Sequence, residues 1–243
     1  MNQPSTLKIS PNTISQEDCR VFKEYIDNNI DDPTKFRSKV GHAYDSGVAS
    51  RAAFPDRFPP NLYKELEGIT NKYADLLKKE IQTFYNTNQD IMFYGISITR
   101  LTKDIQLRIH QDIHDSQHYD AIKYSVVLYL DDDYEGGELV FISDDMAESI
   151  KNKFYSKSCF PMAWFPLYED WMDGFVYRPK SGDALIFQGK DWHGSTKILG
   201  GTRDAIILWY TLDTQYQFPG FDSDKVSIKY PEHQPEDTYL IKP

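Results

Sequence analysis

Two imidazoles and one carboxylate can hold a reactive metal ion, and this chain offers that set at telling positions. In Ile105-Gln106-Leu107-Arg108-Ile109-His110-Gln111-Asp112 apolar and polar residues alternate. A strand there would put Gln106, Arg108, His110 and Asp112 on one face and Ile105, Leu107 and Ile109 on the other. His110 and Asp112 would then project side by side toward one ion. A third ligand must come from elsewhere, and His193, in Asp191-Trp192-His193-Gly194-Ser195, is the candidate. Two histidines and a carboxylate on one face of a metal leave coordination positions open, the arrangement by which ferrous iron admits O₂. A structural zinc site would close its coordination sphere instead.

The elements needed to position these residues can be read along the chain. Ser15-Gln16-Glu17-Asp18 reads as a capping box ahead of an apolar helix face of Val21, Phe22, Tyr25 and Ile26. A long loop is expected over 31–60, where Pro33, Gly41, Gly47, Pro55, Pro59 and Pro60 fall. A second helix is predicted from Asn61 to Tyr85, on the period of Leu62, Leu66, Ile69, Tyr73, Leu76, Ile81 and Phe84. Strands are then predicted at Met92–Leu101, Ile105–Ile109, Tyr124–Leu130, Glu138–Ile142, Ala184–Phe187 and Arg203–Leu212. The turns between them are Asp131-Asp132-Asp133, Gly136-Gly137, Ser181-Gly182-Asp183 and Gly200-Gly201. The expected fold is mainly β with supporting α-helices: a double-sheet barrel with the N-terminal helices packed on one sheet. Residues 1–90 form the helical support, 91–215 the catalytic core, 143–179 an aromatic-rich insertion and 216–243 a polar tail, all within one domain.

The motifs around the metal set resemble those of the prolyl 4-hydroxylase-like 2-oxoglutarate/Fe(II) oxygenases. Tyr129-Leu130-Asp131-Asp132-Asp133-Tyr134-Glu135-Gly136-Gly137-Glu138-Leu139 is similar to their tyrosine–leucine strand and Gly-Gly-Glu turn. Gly182-Asp183-Ala184-Leu185 resembles the strand before their distal histidine, and His193-Gly194-Ser195 with Gly201-Thr202-Arg203 resembles their closing motif. Trp209-Tyr210 matches the end of the last strand. The resemblance covers about Phe93 to Leu212, with its motifs in family order. It implies a double-stranded β-helix (jelly roll) and makes His110, Asp112 and His193 the Fe(II) ligands. It also gives Arg203 and the Tyr129 hydroxyl the distal carboxylate of 2-oxoglutarate. The implied reaction consumes O₂, releases succinate and CO₂, and hydroxylates a C–H bond, with ascorbate (vitamin C) as accessory reductant. The preferred substrate by resemblance is a prolyl residue in a peptide or protein. One departure stands out: the family often carries a tyrosine nine residues before the proximal histidine, and Leu101 occupies that position. One hydrogen bond to the cosubstrate is then either missing or supplied from elsewhere, with Tyr94 and Ser125 as the candidates.

His118-Tyr119-Asp120 repeats the His-x-Asp pattern but falls on the loop before Tyr124, so His110 and Asp112 are preferred. His114 and His118 read as solvated loop histidines, and His42 and His233 have no supporting context. Arg51, Arg57 and Arg108 are possible substrate contacts that nothing fixes in the site. Tyr129 has a core reading beside the functional one. The segment from Phe154 to Tyr177 serves equally as a core patch or an aromatic substrate wall. Rival functions are hydroxylation of a free amino acid or small metabolite, a zinc hydrolase, and a non-enzymatic jelly-roll binding module.

Composition narrows the classes further. With 27 Lys+Arg against 37 Asp+Glu, the formal charge of −10 repels phosphate backbones, and no nucleic-acid partner is expected. The apolar runs are too short to span a bilayer, so no membrane association is expected. Cys19 and Cys159 lie too far apart in sequence for a CxxC unit or a disulfide scaffold. Without a recognisable secretory signal at the start, a cytoplasmic protein is the expected setting.

Overall fold

Alternation along the long strands sorts their side chains into two cores. The computed structural model describes residues 2–29, 48–53, 64–107, 109–112, 122–154 and 174–212. In chain order these form β1 (Lys8–Ser10), α1 (Gln16–Asn29), β2 (Val48–Ala53), a 3-10 turn (Lys64–Leu66), α2 (Glu67–Phe84) and β3 (Met92–Leu101). There follow β4 (Tyr124–Tyr129), β5 (Glu135–Gly136), β6 (Leu139–Ile142), α3 (Asp144–Phe154) and β7 (Phe175–Tyr177). The chain continues through β8 (Ala184–Gln188), β9 (Trp192–Ser195), β10 (Ile198–Gly200) and β11 (Arg203–Thr211). A major sheet runs β1-β8-β4-β11-β3-β2, a smaller one β7-β6-β9, and β10 pairs with β5. All pairings are antiparallel.

On the major sheet's outer face, Ile96, Ile98, Val126, Leu128, Ile186, Ile206 and Leu208 pack against Phe22, Ile26, Tyr73, Leu77 and Ile81 of the helices. The intervening residues Val127, Tyr129, Leu185, Phe187 and Ala205 point inward and pack with Leu139 and Phe141 of the smaller sheet. One set of strands thus carries a helix-facing core and a barrel interior, the jelly roll expected from the sequence. Half of the predicted capping box forms: the Asp18 N–H donates to Ser15 Oγ at 3.1 Å, while the Ser15 N–H donates to the Tyr73 hydroxyl at 3.1 Å instead of to Asp18. Helix α2 starts later than Asn61, behind the 3-10 turn. It buries Leu77 while Leu76 is 45% exposed, because Tyr73, Leu77 and Ile81 form the i, i+4 row that meets the sheet.

Three expectations need correction. The segment 31–60 is not all loop: Val48–Ala53 pairs with β3 from Leu101 to Ile96, covering backbone groups that an open edge would expose. The 143–179 insertion opens with α3, whose first turn Ser143 caps through the Met146 N–H, and ends in β7. Ile105–Ile109 is not a regular strand. Its backbone meets β9 and β10 at Ile105, Leu107 and His110, but the Ser195 hydroxyl accepts the Leu107 N–H at 2.9 Å and interrupts the ladder. Gln106 is buried along with Ile105, so strict alternation fails there.

An ionic cluster fastens α1 to the major sheet. Arg100 donates to both oxygens of the fully buried Asp204, at 2.7 and 2.6 Å, and to Asp27 of α1 at 2.6 Å. Lys23 donates to Asp131 at 3.0 Å, and Asp131 also accepts the Asp204 N–H at 3.3 Å. Burial and the nearby Asp204 carboxylate push Asp131 up to about 6, with Lys23 opposing them. A carboxyl raised on folding contributes stability at low pH that is lost as pH rises through its folded value. Thermal melts of wild type and Asp131→Asn should therefore diverge in favour of wild type by about 1 kcal/mol on acidification from about pH 7.5 to about pH 5. Parallel pH profiles would contradict this.

Candidate metal centre

His193 lies in β9, and its backbone exchanges two hydrogen bonds with His110, at 2.8 and 2.9 Å. This isolated antiparallel bridge brings the two imidazoles to a centroid distance of 4.4 Å. Asp112 follows two residues later, fixed by its N–H to the Gly189 carbonyl at 2.8 Å. One Asp112 oxygen, Oδ1, lies 3.5 Å from His110 Nε2 and 3.8 Å from His193 Nε2. The three ligand atoms fall within 4.8 Å of one another, a set able to hold one metal ion.

The other oxygen, Oδ2, is occupied. Ser125 Oγ and Trp209 Nε1 both donate to it, the indole at 3.3 Å. Ser125 and Trp209 are direct partners across β4 and β11, so one row of the major sheet holds the carboxylate and turns Oδ1 toward the histidines. Ser125 thus spends its hydroxyl proton on Asp112 rather than on the cosubstrate bond for which it was a candidate. Tyr94 is fully buried in β3.

Protonation suits metal binding. Burial raises the Asp112 carboxyl, but the His193 and His110 rings and the Ser125 hydroxyl outweigh it and hold it well below the usual range. His193 stacks near Phe187 and Phe141, at 4.5 and 6.0 Å between centroids. Burial, reinforced by His110, pushes it down to about 4, so the ring is neutral at neutral pH. Its Nδ1 lies 2.9 Å from the Asp191 carbonyl, which only accepts, so Nδ1 carries the proton and Nε2 offers its lone pair.

Deeper in the barrel lies a second polar group. Arg203, 3% exposed at the start of β11, donates from one terminal nitrogen to the Gly137 carbonyl at 2.6 Å. Gly136 and Gly137 both have φ of +71°, and a Cβ on Gly137 would meet Ile198 Cδ1 at 2.4 Å, so glycine is required to aim that carbonyl. The guanidinium carbon lies 5.7 Å from the centroid of the Tyr129 ring. Among the described residues, nothing hydrogen-bonds to the buried Arg203 Nε or Tyr129 Oη. Burial, against the pull of Arg203, pushes Tyr129 up to about 12, so its hydroxyl stays protonated and able to donate. A buried cation and phenol with unspent donors fit a carboxylate ligand.

The structure brings together all five expected residues: His110, Asp112 and His193 at one end, Tyr129 and Arg203 at the other. His42, Arg57, Arg108, His114, His118, Asp120 and His233 lie outside the described residues, and of Arg51 only the strand position is described. Sequence reasoning missed Trp209 as a support for Asp112. The signal was an inward position on β11 occupied by an indole, whose N–H needs an acceptor when buried.

Comparison with known proteins agrees with this geometry. A model of the 2OG-Fe(II) oxygenase superfamily matches residues 96–211, which include the metal triad, Tyr129 and Arg203. Over 96 residues, 39% of the chain, the sequence is 30% identical to prolyl 3-hydroxylase 2 of Rattus norvegicus and of Homo sapiens. That match spans only 10% of those relatives' length. The fold resembles a Pseudomonas putida prolyl-4-hydroxylase at a TM-score of 0.57 and 14% identity, covering 85% of this chain and 92% of that one. It also resembles a Trichoplax adhaerens prolyl hydroxylase, solved with a hypoxia inducible factor peptide fragment, at 0.55 and 15%, covering 85% and 84%.

Removing the Ser125 hydroxyl should weaken metal binding without unfolding the barrel. Anaerobic titration of Ser125→Ala with Fe(II) should show affinity lower by about 10- to 100-fold. Wild-type affinity in this variant would mean that the hydroxyl does not position Asp112.

Proposed function

We propose that this chain is an Fe(II)- and 2-oxoglutarate-dependent dioxygenase that hydroxylates a prolyl residue in a peptide or protein. His110, Asp112 and His193 hold iron, and Arg203 with the Tyr129 hydroxyl holds the distal carboxylate of 2-oxoglutarate. Iron and the 2-oxo acid together supply an oxidation in which O₂ yields succinate, CO₂ and a hydroxylated carbon, with ascorbate as accessory reductant.

The observation that carries this reading is the pairing of two sites in one barrel: the triad within 4.8 Å, and an unspent buried Arg–Tyr pair. Tyr129 lies four residues along β4 from Ser125, about 13 Å of strand. The two groups thus sit toward opposite ends of one inward row, as a ligand anchored at the metal and at the arginine would require. Within the site the chain's own residues have distinct tasks. Neutral His193 and ionised Asp112 present lone pairs rather than protons. Ser125 and Trp209 keep Asp112 from rotating. Arg203 selects a negative charge at the far end, and Phe141 and Phe187 shield His193 from water. The prolyl preference is supported by the names of the similar proteins.

Incubation of the iron-loaded protein with 2-oxoglutarate, ascorbate and proline-containing peptides in air should produce succinate and a peptide heavier by one oxygen atom. Arg203→Met should raise the KM for 2-oxoglutarate by about tenfold to a hundredfold, the loss of a charge-assisted hydrogen bond. Oxidation of a free amino acid with peptides left unchanged would shift the substrate class. No succinate under any condition would contradict the dioxygenase reading.

A further inference from the structure

Beside the Arg203–Tyr129 pair lies another buried group with no partner. Tyr134, in the turn between β4 and β5, is 3% exposed, and its hydroxyl has no hydrogen-bond partner among the described residues. Its ring packs with Leu101, Ile105 and Ile198. Leu101 is the direct cross-strand neighbour of Arg203. Gly137, whose carbonyl holds Arg203, has its Cβ position 3.1 Å from Tyr134 Cε2. Three buried polar atoms without partners, Arg203 Nε, Tyr129 Oη and Tyr134 Oη, therefore belong to residues gathered around one strand end. A buried hydroxyl left unsatisfied is costly, and a cluster of them around a cation calls for an anionic ligand with several acceptor positions.

We propose that Tyr134 is a third donor to the distal carboxylate, completing with Arg203 and Tyr129 a pocket selective for a dicarboxylic 2-oxo acid. The assignment rests on the 2-oxoglutarate site proposed above. A carboxylate offers about four lone-pair directions, enough for two phenols and a guanidinium at once. Burial raises the Tyr134 phenol, with Arg203 opposing, so it remains a donor at neutral pH. Leu101 and Ile198 hold the ring in place without competing for its hydroxyl. Arg178 reinforces that placement from the other side, 5.4 Å from the ring centroid and donating to the Tyr134 carbonyl.

The test is calorimetric binding of 2-oxoglutarate and of 2-oxopentanoate, which lacks the distal carboxylate, to the Mn(II)-loaded full chain. Wild type, Tyr134→Phe and Arg203→Met are compared, with melts of each in the absence and presence of 2-oxoglutarate. Tyr134→Phe should bind 2-oxoglutarate about tenfold to a hundredfold more weakly and 2-oxopentanoate unchanged. Its ligand-free melting temperature should equal or exceed wild type, because the lost hydroxyl had no partner, while its stabilisation by 2-oxoglutarate shrinks. If Tyr134→Phe binds 2-oxoglutarate as wild type does while Arg203→Met is weakened, the Tyr134 assignment is overturned and the underlying site stands. Equal weakening toward both ligands would also overturn it, since that points to a general packing effect. No 2-oxoglutarate binding by wild type would overturn the site itself and this assignment with it.

Discussion

The Asp112 carboxylate is the point on which the arrangement turns, because its two oxygens do different work. One is pinned by Ser125 and Trp209, adjacent residues of one cross-strand row. The other faces both imidazoles. A carboxylate free to rotate would spread its lone pairs over many directions and pay that entropy on binding. Two donors from a rigid sheet settle the direction in advance. The backbone bridge between His110 and His193 does the same for the rings, and the Asp191 carbonyl chooses the tautomer of His193.

The sheets give this centre its depth. The inward row of β11 carries Arg203, Ala205, Ile207 and Trp209, so one strand contributes both the support of the metal end and the cation of the far end. Inward phenylalanines pack beside His193 and lower the local polarity, which strengthens each charged contact within. On the opposite face the same strands bury aliphatic side chains against two helices, and Arg100, paired with Asp204 within the sheet, ties it to α1 through Asp27. Stability and site are thus built from alternating residues of the same segments.

This division explains what could be read in advance. Short apolar, β-branched and aromatic runs bounded by turn residues mark the central strands Tyr124–Leu130 and Arg203–Leu212, and the glycine pair and His-x-Asp spacing mark the turn and the candidate ligands. Features that depend on contacts far apart in sequence stayed hidden. Val48–Ala53 has little strand character of its own and is ordered by the β3 edge. Ile105–Ile109 looked like a strand because its residues alternate, yet a single hydroxyl from Ser195 breaks the ladder. Ser125 was a candidate for a cosubstrate hydrogen bond, and only the fold shows that Asp112 comes within its reach. The unspent hydroxyls of Tyr129 and Tyr134 are likewise invisible in a sequence, where a tyrosine in a β segment reads equally as core.

The central claim is that the triad and the buried arginine form one site for iron and a 2-oxo acid, and anaerobic absorption spectroscopy tests it most directly. Fe(II) followed by 2-oxoglutarate should produce the visible charge-transfer band of a chelate in wild type, and no band in His110→Ala or Asp112→Ala. A folded wild-type protein that gives no band, or a band that survives loss of Asp112, would contradict the account.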